Sequence, residues 1–121
     1  MTEKLKLSEA IRAGIKRRGE TNEGYYSTPA RHSDAIGAAL EGAGLVNPAV
    51  MTTAWLDNFG FYAAHPILIK YWGRDPIEST VICPVENCQF ADELHDAIDH
   101  LTDVHHYSRA AIAEWLEGRG L

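Results

Sequence analysis

A chain of 121 residues is long enough for one modest apolar core and too short for two independent domains of ordinary size. Its composition, 45% hydrophobic and 23% charged, is that of a folded domain, and no apolar run approaches the roughly twenty residues that a membrane-spanning helix needs. The net charge of −6 is unevenly placed: seven basic against four acidic residues over 1–31, two against three over 32–74, and two against ten over 75–121.

The basic and acidic ends are therefore different surfaces. Met1–Leu7 alternates charge with leucine and lacks the apolar stretch of a secretory signal, so a cytoplasmic location is expected. Ser8 is expected to cap a first helix with Glu9 in its first turn and Ala10, Ile11, Gly14 and Ile15 on its apolar side. Its last turn, Lys16-Arg17-Arg18, suits the helix dipole. Thr21–Arg31 reads as a loop with a short extended piece at Tyr25-Tyr26, the two tyrosines forming a lid over the core or a contact surface. Ser33 is expected to cap a second helix over Asp34–Glu41, with the small residues Gly37, Ala38 and Ala39 permitting close packing on the first.

Between Leu45 and Ile82 short apolar runs fit either helix or buried strand. Trp55, Phe59 and Tyr62 at helical spacing favour a third helix over Thr53–Ala64, ending before Pro66. Glu78–Ile82 reads as extended. Asp92–Val104 places Leu94, Ala97, Ile98, Leu101 and Val104 on one face and acids on the other, an amphipathic helix. Ser108 is expected to cap a last helix with Ile112, Trp115 and Leu116 inward. The expected fold class is mainly α (α+β): a helical region over 1–74 with a zinc-finger-like knuckle-plus-helix module over 75–121 packed on it.

The two cysteines are spaced Cys83-x4-Cys88, and His100 and His105 follow, with His106 as an alternative fourth ligand. Two thiolates from a knuckle and two imidazoles from a helix are the four-donor set that Zn2+ favours. A regular helix would turn His105 about 140° from His100, at about 100° per residue. The helix must therefore tighten or end near Asp103. His65 and His95 are expected to be non-ligands, exposed or with their hydrogen bonds satisfied. Four protein donors leave no coordination position for a reacting water, and Glu86 between the cysteines reads as an exposed carboxylate rather than a general base, so no enzymatic role is expected.

The tail carries CPVENC, HLTDVHH and SRAAIAEWLE. These elements, with LSEAIR and GAALEGAG near the amino terminus, resemble a set of short uncharacterised bacterial and phage proteins in which a cysteine pair precedes a His-Leu-x-x-x-His element and a helix ending in Trp. The resemblance implies a zinc site at Cys83, Cys88, His100 and His105 and implies no activity. A more distant likeness is to the Ros/MucR type of zinc-finger regulator, whose cysteine spacing is shorter and whose flanks are basic.

Here the helix beside the site exposes acids instead. Asp92, Asp96, Asp99 and Asp103 would repel phosphate and suit a basic protein surface. The expected function is a small non-enzymatic zinc-binding protein acting as a protein–protein interaction module, for example a phage-encoded modulator of a host protein. The alternative is a DNA-binding transcription regulator whose nucleic-acid contact is the basic first helix, through Arg12, Lys16, Arg17 and Arg18.

Overall fold

Gly14 and Gly42 set how closely the first two helices approach. In the computed structural model, which describes residues 4–21, 24–27 and 31–121, α1 (Leu7–Ile15) runs antiparallel along α2 (Ala35–Gly42). A Cβ on Gly14 would lie 2.0 Å from the Ala38 carbonyl oxygen, and one on Gly42 would lie 1.9 Å from that of Ala10. Only glycine fits at either place, because a backbone atom cannot yield as a side chain can. Gly37 serves a different contact, closing on the Tyr25 carbonyl.

Both helices start away from where their serines suggest, α1 two residues earlier and α2 one residue later. At α1 the Glu9 carboxylate accepts the Lys6 N–H at 2.8 Å and draws the start back to Leu7. Ser8 is then buried inside the first turn, its N–H bonded to the Leu121 carbonyl. At α2 the cap is Asp34, which accepts the Gly37 N–H at 2.8 Å. Ser33 instead ends strand β2 (His32–Ser33), which pairs in parallel with β1 (Gly19–Glu20). Helix α1 stops at Ile15, and Lys16–Arg18 form the turn into β1. Of the expected loop Thr21–Arg31, residues 22–23 and 28–30 lie outside the described residues. Tyr25 and Tyr26 are buried, and Tyr26 makes a bridge to Ser33.

The expected third helix is two. Helix α3 (Thr53–Asn58) begins where Thr52 Oγ1 accepts the Trp55 N–H, and the chain leaves the helix at Phe59, whose ring is buried between Tyr25 and Tyr26. Helix α4 (Phe61–Trp72) then runs through Pro66 rather than ending before it. Proline removes one helical bond, the one to the Tyr62 carbonyl. The residue that loses this bond, Tyr62, is 92% exposed.

Helix α5 (Arg74–Glu78) leads to strand β3 (Thr80–Ile82), so the extended segment starts two residues later than expected. Strand β4 (Ala91–Glu93) pairs antiparallel with β3, opposing Thr80 with Glu93 and Ile82 with Ala91. It takes the first residues of the expected acidic helix, which is observed as α6 (Leu94–Asp103). Helix α7 (Arg109–Gly118) is capped by Ser108 as expected, its Oγ accepting the Ala111 N–H at 3.0 Å. The class is mainly α with two small sheets. One core joins the amino-terminal and carboxyl-terminal parts: Ile11, Ile36, Leu40 and Leu68 pack in the same cluster as Ile98, Leu101, Ile112 and Leu116. Among the described residues no helix is long and apolar enough to cross a membrane.

Candidate metal centre

The hairpin β3–β4 and the end of α6 converge on one cluster. Cys83 follows β3 and donates its N–H to the Phe90 carbonyl, closing the hairpin at 2.9 Å. The turn continues with the Cys88 N–H on the Val85 carbonyl at 3.1 Å, and Asn87 takes φ +68°, which Asn tolerates better than most residues. This reversal brings Cys88 back beside Cys83. His100 lies in the last turn of α6, and its ring stacks on Phe90 with centroids 3.9 Å apart and planes within 4°.

His105 reaches the same point because the helix stops. Helix α6 ends at Asp103, as the spacing required, and the Tyr107 N–H returns to the Leu101 carbonyl at 2.9 Å. His100 Nε2 lies 3.1 Å from His105 Nε2, and each lies 3.4 Å from Cys88 Sγ. The ligand atoms of Cys83, Cys88, His100 and His105 all lie within 4.8 Å of one another, and the group can hold a metal ion. His106, at φ +54°, is exposed and stands outside this group.

Burial, with His105 beside it, lowers the pKa of His100 and favours the neutral imidazole that offers a lone pair. Burial raises that of the Cys83 thiol, while the Val85 N–H acts the other way. A cation at the centre would supply the charge that favours thiolate.

The acidic residues are not one uniform strip. Asp92 and Asp103 are exposed and Asp96 is half-buried. Asp99 instead faces inward and accepts the Tyr25 hydroxyl at 2.7 Å. Burial pushes its pKa up to about 7, helped by Asp103 and Asp96 and opposed by the Tyr25 hydrogen bond. Three of the four basic candidates are held by carboxylates of the same chain. Arg12 pairs with Glu117, and Arg17 and Arg18 both pair with Glu41, whose side chain is 2% exposed. Lys16 caps the end of α1.

The sequence reading missed a buried polar chain. Tyr25 hydroxyl lies 2.9 Å from His95 Nε2, and His95 Nδ1 lies 2.8 Å from His65 Nδ1. His95 is fully buried, and burial followed by the influence of His65 lowers its pKa to about 3. The available signal was its place on α6 between Leu94 and Ile98, both buried. Arg109 was missed as well: its guanidinium reaches the Arg18 carbonyl and Ser33 Oγ, tying α7 to the β1–β2 pair. Comparison with protein-family models, with curated proteins and with solved structures finds no match.

Proposed function

We propose that the protein is a non-enzymatic interaction module whose carboxyl-terminal part is fixed by one structural Zn2+ on Cys83, Cys88, His100 and His105. The observation that carries this reading is the spacing of the donors. Around a tetrahedral zinc with Zn–N of about 2.05 Å and Zn–S of about 2.3 Å, two nitrogens stand about 3.3 Å apart and a nitrogen and a sulfur about 3.6 Å. The 3.1 and 3.4 Å separations match these edges. Two thiolates and two imidazoles are borderline-soft donors that suit zinc over magnesium or calcium. Four donors from the chain close the coordination shell, the arrangement of a structural rather than a catalytic site.

Zinc here ties the β3–β4 hairpin to the end of α6, beside Asp92, Asp96 and Asp103. This surface suits a basic protein partner. The basic first helix is a poorer contact for DNA, because Arg12, Arg17 and Arg18 already satisfy Glu117 and Glu41. Affinity capture with the intact protein and with a triple variant, Asp92→Lys, Asp96→Lys and Asp103→Lys, tests the reading. It predicts a basic partner that the variant loses; capture of nothing, or of a partner indifferent to the reversal, removes it.

A further inference from the structure

We propose that His65, Glu78 and Glu93 form a second site, for a first-row divalent cation such as Mn2+, Fe2+ or Zn2+, built from different residues than the cysteine–histidine cluster. The donor atoms of these three side chains lie within 4.8 Å of one another, with His65 Nε2 3.8 Å from Glu78 Oε2. The side chains of His65 and Glu78 are only 16% and 25% exposed. The carboxylates meet through the backbone: α5 ends at Glu78, the hairpin register opposes Thr80 with Glu93, and the Leu94 N–H bonds the Ser79 carbonyl at 2.9 Å.

Proton accounting along the buried chain sets what His65 offers. Tyr25 donates its hydroxyl proton to Asp99, so only its oxygen lone pairs face His95, and His95 Nε2 must be the donor there. A fully buried neutral imidazole then has a lone pair on Nδ1. That lone pair accepts from His65 Nδ1–H across 2.8 Å. His65 Nε2 is then the ring nitrogen that faces Glu78, 3.8 Å away, and the one through which the residue can ligate. A histidine whose second nitrogen is fixed by a hydrogen-bond partner is the usual form of a metal-ligating histidine. The stack of Phe61, His65 and His95 holds the ring in place.

Two carboxylates facing one point repel one another, and a cation at that point reverses the interaction. Arg74 takes up part of this charge by pairing with Glu78 Oε1, and leaves Oε2 to the site. One nitrogen with carboxylate oxygens suits manganese, iron or zinc over calcium, and offers nothing to metals that need thiolate. Three protein donors leave coordination positions for water, unlike the closed cluster at Cys83.

The test uses the intact protein with its cysteine–histidine cluster loaded with zinc, titrated with Mn2+ at pH 8 while free Mn2+ is followed by electron paramagnetic resonance. The expected result is about one bound Mn2+ per chain, weakened about tenfold or more by Glu93→Gln. Unchanged zinc content and circular dichroism of that variant show that the fold and the first site survive. No Mn2+ uptake at millimolar concentration, or uptake unaffected by both Glu93→Gln and Glu78→Gln, would overturn the site and leave the zinc reading standing.

Discussion

The Nε2 atoms of His100 and His105 lie 3.1 Å apart because the chain leaves the helix between them. Helix α6 ends at Asp103, and the left-handed His106 turns the chain toward Tyr107 and the cap of α7. The donor that joins the cluster is therefore His105 and not its neighbour. His105→Ala is expected to weaken zinc binding at least about tenfold, and His106→Ala to leave it nearly unchanged, as read by competition with a chromophoric chelator. Equal losses from the two variants would contradict this assignment.

The contact between α1 and α2 is a test of packing without chemistry. Gly14→Ala places a methyl group 2.0 Å from the Ala38 carbonyl oxygen, and the helices must separate to admit it. Overpacking of this kind costs about 1–3 kcal/mol. Urea unfolding should show that loss with zinc present, while Gly118→Ala, where a Cβ meets nothing, stays within about 0.5 kcal/mol of wild type.

Much of this was legible because it is local. The Ser108 cap, the Leu94, Ile98 and Leu101 stripe and the cysteine–histidine spacing each depend on residues close together in the chain, and each appears where the sequence puts it. The errors came where distant contacts decide. Phe59 leaves the helix to meet Tyr25 and Tyr26, splitting a segment whose own periodicity is continuous. The hydrogen bond from Tyr25 to Asp99 joins residues 74 apart, and turned a supposed surface acid inward. No local pattern encodes such a pair.

Glu41 holds two guanidiniums from a nearly fully buried position, with Arg18 beside it at 11% side-chain exposure. Removing a buried partner leaves the other charge uncompensated. Glu41→Ala should cost about 3 kcal/mol of unfolding free energy by chemical denaturation. Arg12→Ala, which breaks the exposed pair with Glu117, should cost under about 1 kcal/mol.

His95 makes stability depend on acid. Its pKa falls from 6.5 to about 3 on folding, so between those values the unfolded chain binds a proton that the folded chain refuses. The sign follows: this contribution is complete above pH 6.5 and is lost as pH falls toward 3. From pH 7 to 5 the loss is about 2 kcal/mol. Asp99, raised to about 7, works in the opposite direction, so the comparison must be with a variant. His95→Gln should be less stable at pH 7 and lose less on acidification to pH 5; parallel curves for the two proteins would count against a neutral buried His95.

The central claim is four side chains around one zinc. X-ray absorption at the zinc edge, on protein loaded with a single equivalent, reads that shell directly. The account predicts two sulfurs at about 2.3 Å and two nitrogens at about 2.0–2.1 Å. A shell of nitrogen and oxygen alone, or a purified protein that is fully folded without bound metal, would contradict it.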